Sequence, residues 1–171
     1  MFRVGIITVS DRASRGERED QSGQLVKELV KEIEGESIAY RVIPDEVALV
    51  REELLRMCDE LELDLVITTG GTGLGPRDVT PDATLTVIEK EVPGIAEAMR
   101  AEGLKKTPHA LLSRAVAGTR GKSLIVNLPG SPRAVRECLS TVLPALPHAI
   151  EVLKGEAKEP PPHSCLDNDR G

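Results

Sequence analysis

A glycine-rich segment near the middle of the chain is the first candidate for chemistry. Residues 70–75 read Gly-Gly-Thr-Gly-Leu-Gly, and glycines let backbone amides approach a phosphate that any Cβ would hold away. The segment lacks the Gly-Lys-Ser/Thr ending of a Walker loop, and the register of a dinucleotide-binding turn fails at Pro76 and Asp78. A tight strand exit would also explain a glycine cluster. The predicted anion-binding members are Gly70, Gly71, Thr72 and Gly73.

The residues that follow the glycines add charge. Residues 77–82 read Arg-Asp-Val-Thr-Pro-Asp, and Thr80 with Pro81 is typical of an N-cap followed by a first helical residue. Capping does not explain Asp78, which precedes the predicted cap, although a solvated pair with Arg77 is an ordinary alternative. We interpret Asp78 as a functional carboxylate.

Three other strand exits carry polar, turn-forming residues. Ser10 and Asp11 follow the first strand, and Asp45 in Pro-Asp-Glu follows the second, where helix capping alone would also account for it. Residues 127–132 follow the last strand and read Asn-Leu-Pro-Gly-Ser-Pro, a turn into a helix that could present amides and a hydroxyl to an anion. The candidates in this last loop are Asn127, Pro129, Gly130 and Ser131.

The elements that would position these loops follow from hydrophobic patterning. Uninterrupted apolar runs at 4–9, 65–68 and 124–128 are typical of strands buried on both faces, and 37–43 is a fourth candidate. Amphipathic stripes between them predict alternating helices and βαβ units. In an open parallel sheet the loops at the carboxyl ends converge, so all four polar exits should lie on one rim.

The expected fold is a three-layer α/β/α domain with a mostly parallel central sheet over residues 1–155. Further helices are predicted at 81–89, 94–103 and 132–153, the last bent or broken near Pro144 and Pro147. Residues 156–171 contain three consecutive prolines and should form an extended or disordered tail.

Composition excludes several classes of function. The chain has 171 residues, about one domain, with 22 Lys plus Arg against 28 Asp plus Glu and a net charge of −6. That balance disfavours duplex nucleic acid and anionic membranes as partners, and 1% aromatic residues provide no stacking platform for single strands. Three dispersed cysteines predict neither a disulfide framework nor a zinc site. The short apolar start, residues 3–9, is not a signal sequence, so we expect a cytoplasmic protein.

The combined motifs resemble one known family. Thr68-Thr-Gly-Gly-Thr-Gly73, Arg77-Asp-Val-Thr-Pro81 and Asn127-Leu-Pro-Gly130 together are similar to the MogA/MoaB family of molybdenum cofactor biosynthesis. The resemblance spans roughly residues 3–155. Ser10-Asp-Arg-Ala-Ser14 and the segment from Gly16 to Gly23 are more similar to the MogA branch.

The resemblance implies an activity and a set of site residues. It implies a homotrimer that binds molybdopterin and ATP, transfers AMP with the help of Mg²⁺, and could deliver its product to a downstream molybdenum insertase. Asp45 and Asp78 match the catalytic carboxylates of the family, and we expect both to hold or orient the metal. The matching ligand-binding positions are Ser10, Asp11, Gly70, Gly71, Thr72, Gly73, Thr80, Asn127, Pro129, Gly130 and Ser131.

Phosphate chemistry is consistent with that activity. A phosphate monoester is largely ionised at neutral pH, because its second pKa is about 6, and it can attack without a strong general base. The main barrier is repulsion between two anions, which a carboxylate-held Mg²⁺ would reduce. Two alternatives remain at this stage: a molybdopterin-binding module without transfer, and a general nucleotide or phosphosugar enzyme.

Overall fold

A six-stranded mixed sheet forms the centre of the molecule. The computed structural model describes residues 1–157, and the strand order is β2-β1-β3-β6-β5-β4. The first four of these are mutually parallel, whereas β5 and β4 continue the sheet in antiparallel pairing. The strands are β1 (Phe2–Val9), β2 (Gly35–Ile43), β3 (Leu65–Thr69), β4 (Lys90–Glu91), β5 (Ala117–Arg120) and β6 (Ser123–Leu128).

Helices cover both faces of this sheet, which confirms the three-layer α/β/α prediction. The helices are α1 (Asp11–Ser14), α2 (Gln21–Leu29), α3 (Val47–Leu55), α4 (Thr80–Leu85), α5 (Pro93–Leu104), α6 (Pro132–Val142) and α7 (Leu146–Lys154). Short 3₁₀ turns occupy Val30–Ile33, Pro108–Leu112 and Leu143–Ala145, and a π turn at Arg56–Glu60 extends α3.

Two apolar clusters hold the layers together. One packs α2, α5, α6 and α7 against one face of the sheet, through residues such as Val26, Met99 and Leu139. The other packs α3 and α4 against the opposite face, through residues such as Val50 and Ala83. Each central strand is buried on both faces, because its alternate side chains point into one cluster and then the other.

The sequence-based element boundaries are largely confirmed, with two differences. The predicted break of the C-terminal helical segment near Pro144 is confirmed: a 3₁₀ turn that contains Pro144 separates the two helices, since proline cannot continue the helical hydrogen-bond ladder. The helix predicted at 81–89 is shorter and begins at Thr80. The antiparallel β4 and β5 were not anticipated, because β4 has only two residues and neither is buried.

Two further observations concern the ends and surfaces of the chain. The predicted tail lies beyond residue 157 for nearly all its length, outside the described residues. No helix within residues 1–157 is both long enough and apolar enough to cross a membrane.

Candidate active site

The carboxyl ends of β1, β2, β3 and β6 form one rim, as expected for neighbouring parallel strands. Each strand leads directly into one of the polar loops singled out in the sequence. A cavity of about 270 Å³ opens at this rim, and residues from all four loops line it, among them Ser10, Asp45, Gly70, Gly71, Gly130 and Ser131. The structure therefore brings these predicted site residues together.

Asp45 and Asp11 are locked to each other across the first two strand ends. The Asp11 amide donates to Asp45 Oδ2 at 2.7 Å, and the Asp45 amide donates to Asp11 Oδ1 at 3.1 Å. Arg77 reaches over from the glycine-rich loop and makes a two-pronged ion pair with Asp11, at 3.0 and 2.8 Å. Arg77 thus pairs with Asp11, not with its neighbour Asp78.

The two carboxylates have different electrostatic environments. The hydrogen bonds from Arg77 lower the pKa of Asp11 below its usual value. Burial raises the pKa of Asp45, and the nearby carboxylates of Asp11 and Asp78 raise it further, against the opposing effect of the Asp11 amide. The surroundings of Asp45 therefore disfavour its charged form, which a bound cation would stabilise.

Gly70 and Gly71 adopt backbone conformations that their positions require. Their φ angles are +96° and +67°, in the region that favours glycine. A Cβ on Gly71 would collide with Thr80 Oγ1 and lie 3.2 Å from Asp45 Oδ1. The glycine thereby keeps open a space that the Thr80 hydroxyl and the Asp45 carboxylate both border.

Thr80 does not act as the predicted N-cap. The helix α4 begins at Thr80 itself, Val79 occupies the capping position, and no side chain caps this end. The Thr80 side chain is fully buried, and its hydroxyl has no hydrogen-bond partner among the described residues. An orphaned buried hydroxyl next to Asp45 and Gly71 is suited to receiving a partner supplied by a ligand.

Asp78 lies near the C-terminal end of the Gly loop, by which we mean residues 70–79. Its Oδ2 accepts a 2.8 Å hydrogen bond from the Gly75 amide. A Cβ on Gly73 or Gly75 would lie 2.9 or 2.7 Å from the same oxygen. Asp78 thus has a local role in shaping the loop that the sequence did not reveal, in addition to its charge at the site.

Arg114 is the main site residue that the sequence analysis missed. It precedes β5, more than thirty positions after the Gly loop, yet its Nε donates to the Gly73 carbonyl at 2.8 Å and its Nη2 to the Asp78 carbonyl at 2.5 Å. The same guanidinium pairs with both carboxylate oxygens of Asp82 in α4. No local sequence signal marks this residue, because its partners become neighbours only in the folded chain.

The loop after β6 is held by two hydroxyl groups. Thr69 donates to the Pro129 carbonyl at 2.7 Å, and Ser22 of α2 donates to the Gly130 carbonyl at 2.6 Å. The Ser131 hydroxyl caps α6 by accepting from the Ala134 amide. Gly130 and Ser131 are exposed at the cavity. Sequence analysis placed this loop correctly but missed Ser22.

Asn127 lies elsewhere than predicted. It is the penultimate residue of β6 and is fully buried. Its amide nitrogen donates to the hydroxyls of Thr68 and Thr84, and its Oδ1 accepts from the Val116 amide. These contacts use the side chain internally, so the structure assigns it to joining β6, β3 and α4 and does not bring it to the cavity.

The donor set at the rim fits a magnesium ion shared with substrate phosphates. Residues 1–157 contain no cluster of three or more His, Cys, Asp or Glu side chains able to enclose a metal by themselves. Magnesium is usually held by one or two carboxylates together with substrate oxygens. The charge of Asp78 is close enough to contribute to the raised pKa of Asp45. The two carboxylates suit this arrangement, together with the orphaned hydroxyl of Thr80.

Comparison with known families places the chain in a defined class. Residues 5–148 match the family described as "Probable molybdopterin binding domain". The chain belongs to this family, which confirms the resemblance noted in its sequence. The matched region contains every rim loop described above.

Three proteins that are similar over most of their length have names that refer to molybdopterin. The chain is 47% identical to a molybdopterin adenylyltransferase of Helicobacter pylori strain J99 over 156 residues, covering 90% of this chain and 89% of that protein. It is 40% identical to the Escherichia coli K12 molybdopterin adenylyltransferase, covering 94% and 90%. The molybdopterin biosynthesis enzyme MoaB of Thermus thermophilus is 52% identical, with a TM-score of 0.87 over 92% of this chain and 99% of that one.

Proposed function

We propose that this protein is a molybdopterin adenylyltransferase of molybdenum cofactor biosynthesis, which transfers AMP from ATP to the phosphate of molybdopterin and releases pyrophosphate. The observation that carries the proposal is the rim itself. Asp45, Gly70 and Gly71 line one cavity, the charge of Asp78 acts on Asp45, and the orphaned Thr80 hydroxyl borders Gly71. The relatives of this chain bear the name of that activity.

The proposed reaction needs charge neutralisation more than proton transfer. The attacking molybdopterin phosphate is already ionised near neutral pH, since its second pKa is about 6. It must approach an α-phosphate that is itself negative, so alignment and electrostatic stabilisation provide most of the catalysis. Asp45 and Asp78 would hold Mg²⁺, which when bound supplies positive charge to the ATP phosphates.

The remaining groups bind and orient the anions. Amides of the Gly loop and of the Gly130–Ser131 segment can donate to phosphate oxygens, because a glycine backbone permits close approach. The Thr80 hydroxyl offers a further buried donor. Arg77 holds Asp11, and Asp11 in turn fixes the Asp45 backbone, so this pair keeps the metal-facing carboxylate in position.

Pyrophosphate release tests the proposal directly. The purified protein should release pyrophosphate from ATP when molybdopterin and Mg²⁺ are both supplied, and should stop when either is omitted. Tight molybdopterin binding without pyrophosphate would instead indicate a binding module. The experiment includes this outcome because the Thermus thermophilus protein of known structure, 52% identical to this chain, is named MoaB. Turnover of other phosphorylated substrates without affinity for molybdopterin would indicate a general nucleotide or phosphosugar enzyme.

We also propose that the protein is a cytoplasmic homotrimer that passes its product to a downstream molybdenum insertase. Cys58 and Cys138 are free thiols, as expected in a reducing compartment. Light scattering coupled to size exclusion should give three times the chain mass of 18.4 kDa. A monomer mass would contradict the trimer.

A further inference from the structure

The guanidinium of Arg114 contacts the Gly loop at both ends of its central segment. It donates to the carbonyls of Gly73 and Asp78, and the Arg114 backbone amide donates to the carbonyl of Thr72 at 2.8 Å. Three carbonyls of one loop thus turn toward a single residue that lies outside it. Backbone hydrogen bonds close the tip of the loop, from the Asp78 amide to the Gly75 carbonyl, and its base, from the Thr80 amide to the Gly71 carbonyl. Neither bond holds the three carbonyls that face Arg114.

The orientation of these carbonyls fixes the orientation of three amides. No described peptide bond is cis, and in a planar trans peptide the N–H points opposite to the C=O. The amides that follow the three carbonyls belong to Gly73, Leu74 and Val79, and they must point away from Arg114. None of the three has a hydrogen-bond acceptor in the part of the chain that the structure describes.

We propose that Arg114 is a positioning residue that turns the Gly loop into an anion-binding cradle for the triphosphate of ATP. The inference rests on the proposed function for the identity of the anion. Arg114 need not touch ATP itself: it holds the carbonyls on one side, so that the amides face the other. An arginine is required because its planar fork serves several acceptors in one plane, whereas a lysine offers a single point of attachment.

A simple surface ion pair with Asp82 does not account for these contacts. The side chains of Arg114 and Asp82 are 35% and 52% exposed, and ion pairs this exposed contribute little to stability. The guanidinium also donates to the Gly73 and Asp78 carbonyls, which belong to the Gly loop and not to α4, so its contacts extend beyond the ion pair. Asp82 provides the counter-charge that keeps the guanidinium in place.

The chain offers a matched control for the experiment. Arg120, at the other end of β5, also pairs with a carboxylate through two bonds, to Asp59, and donates to the Val87 carbonyl at 3.0 Å. Its side chain is 26% exposed, close to the value for Arg114. Arg120→Met therefore removes a similar set of contacts at a place far from the rim.

The test compares Arg114→Met, Arg114→Lys and Arg120→Met in the full-length protein. The KM for ATP in pyrophosphate release should rise about 10-fold or more in both Arg114 variants, since hydrogen bonds to a charged group are lost, with a smaller change in kcat. Hydrogen exchange of the hydrogen-bonded amides of Gly75 and Asp78 should accelerate in the same two variants. Arg120→Met should leave both quantities at wild-type values.

A second measurement separates this inference from the proposed reaction. Calorimetric titration with magnesium tripolyphosphate needs no molybdopterin, and the Arg114 variants should bind it more weakly than the wild type and Arg120→Met. Wild-type binding of tripolyphosphate without adenylyl transfer would count against the proposed function but not against the role of Arg114. Equal KM, exchange and tripolyphosphate affinity in Arg114→Met and Arg120→Met would overturn the inference. If Arg114→Met does not fold, Arg114→Lys carries the same comparison.

Discussion

Asp45 and Asp78 meet at the rim but are held in different ways. Asp45 is fixed by the Asp11 amide, and burial raises its pKa. Asp78 accepts from the Gly75 amide and packs against Gly73. A substitution at Asp78 must therefore preserve one hydrogen-bond acceptor if it is to test charge alone.

Asp78→Asn is the substitution that meets this condition. An asparagine Oδ1 can still accept from the Gly75 amide, while the negative charge that would hold Mg²⁺ is lost. AMP transfer should slow by about 10²-fold or more, as is common when a key electrostatic group is removed. Molybdopterin affinity should survive, because other groups are expected to anchor the pterin and its phosphate.

Turnover and molybdopterin affinity should be measured on the same Asp78→Asn preparation. Unchanged turnover would eliminate Asp78 as a catalytic residue. Lost affinity with an unchanged circular dichroism spectrum would reassign it to substrate recognition. Asp78→Ala, which also removes the bond to Gly75, should be more severely affected.

Gly71→Ala should disable the site by two separable effects. The φ of +67° makes any side chain unfavourable, at a cost of about 1–2 kcal/mol, and the new Cβ would collide with Thr80 Oγ1. Gly121→Ala is the control, because Gly121 has φ of +53° but nothing within 4 Å of its Cβ position. Thermal denaturation should show a loss of stability in both variants, larger in Gly71→Ala because of the added collision, and only Gly71→Ala should lose adenylyl transfer.

The thiol of Cys58 should be unreactive at ordinary pH. Burial raises its pKa to about 11, so the reactive thiolate is scarce at pH 8 and becomes abundant only as the pH rises through the raised value. Alkylation at pH 8, mapped by mass spectrometry, should therefore leave Cys58 unmodified in the folded protein and modify it after unfolding. Rapid modification of the folded protein would contradict this burial.

At the scale of elements, the buried side-chain amide of Asn127 joins β6, β3 and α4. Asn127 connects β6 to Thr68 of β3 and to Thr84 of α4. The Thr84 hydroxyl in turn donates to the Thr80 carbonyl. The first turn of α4, with its orphaned Thr80 hydroxyl, is thereby fixed relative to the sheet.

Asn127→Ala should destabilise the protein by about 3 kcal/mol, because it removes the buried bonds to the Thr68 and Thr84 hydroxyls and the part-buried bond from the Val116 amide. Ser123→Ala, at the other end of β6, removes a single buried bond to the Leu63 carbonyl and should cost about 1 kcal/mol. Urea denaturation of both variants gives the comparison. An Asn127→Ala protein as stable as Ser123→Ala would show that these hydrogen bonds do not hold the elements together.

At the scale of the whole molecule, every residue of the proposed site comes from the matched domain. The cavity is lined by residues from Thr8 to Pro132, and the family match ends at residue 148. The segment after Glu159 begins with three prolines and has mostly polar neighbours, so it offers little apolar surface to bury.

Deleting residues 160–171 should leave adenylyl transfer and the melting temperature unchanged. The measurement is pyrophosphate release by the truncated protein next to the full chain. A large loss of turnover at an unchanged melting temperature would mean that the tail helps to build the site.

The sequence by itself determined the four parallel strands of the sheet, the alternation of strands with helices and the rim. Apolar runs of strand length, amphipathic stripes and turn residues are local signals, and parallel topology then requires the strand exits to meet at one edge. Asp45, the glycines and Ser131 could be found in this way. The motifs also sufficed to indicate the family.

Only the tertiary structure decided which partner each side chain takes. Arg77 pairs with Asp11, and Arg114 donates to carbonyls of the Gly loop. Ser22 donates to the Gly130 carbonyl, and the Asn127 side chain is buried within the fold. These contacts join residues 11 to 108 positions apart, and no spacing rule along the chain encodes them. Long-range hydrogen bonds depend on distances that exist only after the layers have packed. For that reason the sequence could locate the rim but not the hydrogen bonds and ion pairs between its side chains.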